Sequence, residues 1–197
     1  MSQFACLADH YFLERKWARV FHTFLDLNHS NSIDWNDFEV LFDHIRDLRG
    51  KNSAEYKIAK DCMGAVWSGL YKACKGVDLA GEVPKGEQIT LDEWMNMWKA
   101  YKPTRHTHGW QREYIKFMFF LLDSSGDKQI DIDEYAEVMV VYGLTQPQAR
   151  EAFTIFANDE DTKKVGKIDY GKFVKLWNEY FSSPSKDAPG SYLFGPW

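Results

Sequence analysis

The stretch Asp123-Ser-Ser-Gly-Asp-Lys-Gln-Ile-Asp-Ile-Asp-Glu134 decides how this chain is read. It puts side-chain oxygens at positions 1, 3, 5, 9 and 12 of a twelve-residue turn: Asp123, Ser125, Asp127, Asp131 and Glu134. Gln129, at position 7, offers its backbone carbonyl. Ca²⁺ takes about 6–8 oxygens at roughly 2.3–2.6 Å, and short Asp, Asn and Ser side chains supply them without crowding. One position departs from the pattern. The backbone turns sharply at position 6, where Gly is usual and this chain has Lys128. A lysine in the left-handed region costs roughly 1–2 kcal/mol, which weakens affinity without abolishing it.

A second turn of the same kind lies upstream, Asp26-Leu-Asn-His-Ser-Asn-Ser-Ile-Asp-Trp-Asn-Asp37. Asp26, Asn28 and Ser30 take positions 1, 3 and 5, Ser32 offers its carbonyl, Asp34 acts directly or through water, and Asp37 closes the loop. Position 6 is Asn31, which tolerates left-handed φ. Asp37 is one methylene shorter than Glu134 and reaches an ion less easily with both oxygens. The first loop is therefore expected to be tighter and six-coordinate, and to tolerate Mg²⁺ better than the third. An acidic, solvated turn would explain one such loop. Both, however, lie between aromatic amphipathic helices and carry Ile at position 8, which is the context an EF-hand motif requires.

Two further repeats have lost their ligands. With Ile89 at position 8, Glu93 closes a loop at about 82–93, but Glu82, Pro84 and Gly86 fall at 1, 3 and 5, and the last two have no side-chain oxygen. The insertion Gly76–Gly81 lengthens it, with Asp78 as a stray oxygen donor. In the fourth repeat, 161–172, Asp161, Lys163, Val165 and Lys172 stand at 1, 3, 5 and 12. An ammonium at the bidentate position repels a cation, so this loop is inactive. Each silent loop is expected to brace a working one through a short antiparallel bridge, Ile33 facing Ile89 and Ile130 facing Ile168.

Apolar residues recur at helical spacing along nearly the whole chain. Helices are expected from Tyr11 to Leu25, around Phe38–Leu48, over Ala54–Cys74 and around Trp94–Tyr101. After Lys102–Gly109, which reads as a linker, they resume around Trp110–Leu121 and Tyr135–Tyr142, from Pro147, and around Phe173–Phe181. The fold class is all-α: four EF-hand helix-loop-helix repeats in two packed pairs. The expected domains are 1–102 and 103–197, the second followed by the tail 182–197. Aromatics make up 16% of the 197 residues, a payload that fills a core and excludes global disorder. A net charge of −5 leaves no basic footprint for nucleic acid. The longest apolar run, Phe117–Leu122, is far short of a membrane span. Three cysteines make no disulfide framework, and with no secretory pattern at the N-terminus a cytoplasmic monomer is expected.

Taken together, the four-hand layout, the first loop closing in Asp, the DSSGDKQIDIDE third loop, the degenerate fourth and Leu193-Phe194-Gly195 resemble calexcitin and the sarcoplasmic calcium-binding proteins of invertebrates. The resemblance spans nearly the whole chain. It implies a buffer or sensor of cytosolic Ca²⁺. It also raises a rival class, since relatives are described as GTP-binding and one branch as juvenile hormone diol kinase. The residues offer that rival little. The nearest phosphate-loop match, Gly81-Glu-Val-Pro-Lys-Gly86-Glu-Gln, has Glu87 where lysine is needed, and Asp123–Gly126 is already a calcium loop. A second rival is a calmodulin-like sensor, which opens a Met-rich groove for target helices. Here 6 Met stand against 8 Trp, 10 Tyr and 14 Phe, which favours a filled interior. Leu193, Phe194 and Trp197 are placed to plug such a groove. His106 and His108 are read as solvated linker residues, and Cys62 and Cys74 as small hydrophobes.

Overall fold

The computed structural model describes residues 3–101, 109–158 and 166–197, residues 3–10 by backbone alone. Helix α1 (Gln3–Val20) runs into a π-helical turn (Phe21–Leu25), followed by strand β1 (Ser32–Asp34) and helices α2 (Trp35–Arg49) and α3 (Ala54–Lys75). Strand β2 (Gln88–Thr90), α4 (Leu91–Ala100), α5 (Gly109–Leu122), β3 (Gln129–Ile130), α6 (Ile132–Val141) and α7 (Gln146–Ala157) come next. Strand β4 (Ile168–Asp169), α8 (Tyr170–Ser182) and a 3₁₀ turn (Pro189–Tyr192) complete the described chain. The mostly helical architecture follows from the helical spacing of the apolar residues. Of the linker reading, residues 102–108 lie outside the described residues; so do Asp161, Lys163 and Val165.

The helices begin where the sequence supplies caps. Asp34, Thr90 and Asp131 each cap the helix that leaves a loop, and Asp37, Glu93 and Glu134 reach back to the cap's own N–H. Each reciprocal pair satisfies two donors that a helix start would otherwise leave open. Between loops, β1 pairs antiparallel with β2 in the register Ile33↔Ile89, and β3 with β4 in the register Ile130↔Ile168. All four isoleucines are fully buried, as the position-8 reading expects.

The chain divides into two compact units, residues 17–117 and residues 1–16 with 118–197. In the first, Trp94 Nε1 donates to the Trp17 carbonyl at 3.0 Å, and Trp17 stacks on Trp98 with ring centres 6.1 Å apart. Gly69 admits this packing: a Cβ there would stand 2.8 Å from Trp110 Cβ. In the second, Tyr135, Phe153 and Phe156 form an aromatic cluster with centres 5.1–5.4 Å apart, Phe156 edge-on to the other two.

The tail docks on this second unit through a buried lysine. Lys16 Nζ donates to the Ser183 carbonyl at 2.5 Å and to Ser191 Oγ at 3.2 Å, and lies over the rings of Phe12 and Tyr180. Burial lowers its pKa to about 8, with Glu179 pulling the other way. The native chain therefore gives up this proton near pH 8, and the unfolded chain near 10.5. Between those values the unfolded state binds more protons, so the contribution of Lys16 to stability rises with pH. Melting curves of the wild type and Lys16→Met should accordingly diverge from pH 8 to 10, the wild type gaining. Parallel curves would refute a buried charge here.

Candidate metal centre

The first loop opens at the π-helical turn, where Asp26 N donates to the Phe21 carbonyl at 2.8 Å. Asp26 Oδ1 accepts from Ser30 N (2.8 Å) and Oδ2 from Asn31 N (3.0 Å). From the other end, Asp37 Oδ1 accepts from Asn28 N (3.0 Å) and Oδ2 from Asp34 N (2.7 Å). Asn28 Oδ1 accepts from Ser30 N at 2.8 Å, and Ser30 Oγ donates to the Ser32 carbonyl at 3.0 Å. Asp26 and Asp37 are only 1% and 2% exposed, so both carboxylates point into the loop instead of solvent. Burial pushes Asp37 up to about 6, and the charges of Asp34 and Asp26 act in the same direction. The N–H donors of Asp34 and Asn28 oppose the rise without cancelling it. The protein alone leaves this carboxylate under-compensated.

The third loop repeats the arrangement. Glu134 Oε1 accepts from Ser125 N (2.9 Å) and Oε2 from Asp131 N (3.0 Å), the same positions 3 and 9 that Asp37 holds. Asp123 Oδ2 accepts from Lys128 N at 3.0 Å, matching Asp26 and Asn31 at position 6. Asp123 Oδ1 is buried and has no hydrogen-bond partner among the described residues. A buried carboxylate oxygen left open costs free energy unless a donor or a cation meets it. Asp127 Oδ1 accepts from Gln129 N at 2.9 Å. Asn31 and Lys128 have φ of 65° and 66°, the left-handed turn that position 6 demands. The sequence reading missed that position 4 turns the same way, at His29 (φ 58°) and Gly126 (φ 73°). Glycine at 126 was the available clue.

Lysines answer carboxylates around the second and fourth loops. Lys75 Nζ stands 2.6 Å from Glu93 Oε1, while Glu93 Oε2 accepts from Thr90 N at 2.9 Å. An ammonium thus meets the closing carboxylate of the second loop, and that hydrogen bond raises the Lys75 pKa. In the fourth hand Asp169 Oδ1 accepts from Lys172 N (2.8 Å), but the Lys172 ammonium has no acceptor to return to the cap. Lys167, just before β4, puts Nζ 2.6 Å from Asp127 Oδ2 and 3.6 Å from Asp131 Oδ2. This hydrogen bond holds the Asp127 carboxyl below its ordinary pKa. Spacing within one loop does not reveal such partners.

Hard oxygens, the turn geometry and the open Asp123 Oδ1 suit a divalent cation of the calcium class. Among the described residues no three His, Cys, Asp or Glu side chains are placed to hold an ion by themselves. The same two loops also carry the oxygens of Asn28, Ser30 and Ser125 and the carbonyls of Ser32 and Gln129.

No family model matches the chain. It is 33% identical to Calexcitin-1 of Caenorhabditis elegans over 184 residues, 93% of this chain and 86% of that protein. It is 26% identical over 190 residues to sarcoplasmic calcium-binding proteins II, V, VI and VII of Branchiostoma lanceolatum, 93% of this chain and 96% of theirs. Among solved structures, an amphioxus sarcoplasmic calcium-binding protein superposes with a TM-score of 0.71 at 24% identity, covering 93% of this chain and 96% of that one. Apo-aequorin follows with a TM-score of 0.63 at 17% identity, covering 93% and 90%, a likeness of fold alone. On the identity and coverage of these relatives, the chain belongs to the calexcitin and sarcoplasmic calcium-binding protein family.

Proposed function

We propose that this protein binds Ca²⁺ reversibly at two loops and acts as a cytoplasmic Ca²⁺ buffer or Ca²⁺-dependent signalling protein. The ligands in the first loop are Asp26, Asn28, Ser30, the Ser32 carbonyl and Asp37. Those in the third are Asp123, Ser125, Asp127, the Gln129 carbonyl and Glu134. Two EF-hand pairs, 1–102 and 103–197, carry one working loop each, and the protein acts as a monomer. The observation that carries the reading is the shared cradle. In both loops the closing carboxylate accepts from the N–H groups of positions 3 and 9, so it faces inward beside the opening aspartate. Bound Ca²⁺ supplies the positive charge that these crowded carboxylates lack, and stabilises the folded chain by about 2.7 kcal/mol at a hundredfold excess over Kd. The residues bind and release. None is arranged as a nucleophile with its base, which favours binding over turnover.

Calorimetric titration of the full chain should count two sites, with Asp26→Ala and Asp123→Ala each removing one. Uptake unchanged in the double variant would end the reading. The first loop further admits Mg²⁺. Asp37 spans from position 3 to position 9 with one methylene fewer than Glu134, so its loop is drawn tighter, and Mg²⁺ demands short bonds near 2.0–2.1 Å. Millimolar Mg²⁺ should therefore weaken Ca²⁺ uptake in Asp123→Ala severalfold more than in Asp26→Ala. Equal competition in the two variants would reject the selectivity.

A further inference from the structure

The fourth hand does more than brace the third. β4 lays Ile168 opposite Ile130, and the preceding residue, Lys167, is carried into the third loop. Its ammonium lies 2.6 Å from Asp127 Oδ2 and 3.6 Å from Asp131 Oδ2. Asp127 Oδ1 is already engaged by the Gln129 N–H. The ammonium thus holds the Asp127 oxygen that the Gln129 N–H does not engage.

We propose that Lys167 is a tethered competing cation. Supplied by a hand that binds no metal itself, it offsets part of the third loop's negative charge before an ion arrives and must be displaced when one does. The idea rests on the reading of the third loop as a Ca²⁺ site and names a control on it. The bridge at Ile168 fixes the lysine beside the loop, so its local concentration is high without any added salt. The first loop provides an internal contrast. There the cross-strand partner of Asp34 is Gln88, which carries no charge. One working loop has an ammonium built against it, and the other has a neutral amide at the corresponding place. Lys167 and Asp127 are both about two-fifths exposed, which limits the effect to that of a partly screened pair.

The test is a chelator-competition Ca²⁺ titration of the full chain in an Asp26→Ala background, so that the third loop reports alone. Lys167→Met, which keeps the apolar stem, should tighten binding on the order of fivefold and slow ion release. Lys167→Arg should stay within about twofold of the parent, and the gap between Met and Arg should shrink in 1 M KCl as charge is screened. The converse graft, Gln88→Lys with the third loop disabled by Asp123→Ala, should weaken the first loop by a similar factor. A merely structural lysine would not give salt-dependent differences or rescue by arginine. Unaltered or weaker binding in Lys167→Met would overturn the proposal. If Asp123→Ala fails to remove a site from the wild type, the ligand reading itself falls, and the proposal with it.

Discussion

Glu134→Gln should lower the third loop's Ca²⁺ affinity by at least on the order of 100-fold, the upper end of what loss of a mere supporting contact costs a metal site. The carboxylate does two jobs. Each oxygen accepts a backbone N–H, from Ser125 at 2.9 Å and Asp131 at 3.0 Å, and in the proposed site each also serves the ion. An amide keeps one acceptor and turns an NH₂ toward the other N–H, so one backbone donor is left facing a donor. That alone weakens the closed loop by about 1–3 kcal/mol. The ion also loses a negative charge and one of its two closing oxygens. Titration in the Asp26→Ala background isolates the effect, and a loss below tenfold would show that Glu134 is not the closing ligand. Glu134→Asp separates the two jobs. It keeps charge and both oxygens but shortens the reach to that of Asp37, so the third loop should gain Mg²⁺ competition while retaining Ca²⁺.

Why was so much of this visible in a bare sequence? A twelve-residue turn of this kind needs oxygens at fixed spacing, so the loop that the structure folds from Asp123 to Glu134 was already marked out by Asp123, Ser125, Asp127 and Glu134. The position-8 isoleucines were legible for a similar reason, because a two-strand bridge between paired loops buries one residue from each. The helices followed from aromatic periodicity, although the π-helical turn at Phe21–Leu25 did not. A single inserted residue in a turn leaves the apolar stripe nearly unchanged. Also hidden were Lys75 on Glu93, Lys167 on Asp127 and Lys16 on Ser191, pairs 18, 40 and 175 residues apart. Their partners are set by which elements meet, and a lysine in sequence otherwise reads as a solvated surface charge.

Deleting Ser191–Trp197 should uncover a large aromatic surface and unsettle the second unit. Phe194 packs edge-on against Tyr180 at 4.7 Å and Trp177 at 5.5 Å, and Trp197 meets Phe12 at 5.0 Å. Leu193 and Phe194 are 1% and 2% exposed, so the tail is core here rather than fringe. Polar contacts fix its register: Tyr135 Oη donates to the Leu193 carbonyl at 2.8 Å, and Lys16 to Ser191 Oγ. Burying one leucine and one phenylalanine is worth about 1.5–3 kcal/mol each, so the truncated chain should lose roughly 3–6 kcal/mol and bind an apolar-surface dye strongly. Gly190 gives a way to undock the tail without removing it. A Cβ there would lie 2.6 Å from the Leu176 carbonyl oxygen and 2.7 Å from Glu179 Cβ, with no room to shift against backbone. Gly190→Val should reproduce the dye signal of the truncation. The apolar surface of this unit is covered by the chain's own C-terminus, so a target helix could reach it only after the tail leaves. That arrangement suits a buffer better than a calmodulin-like sensor. If neither variant increased dye binding, in the presence or absence of Ca²⁺, the tail would not be a plug and the sensor reading would regain its ground.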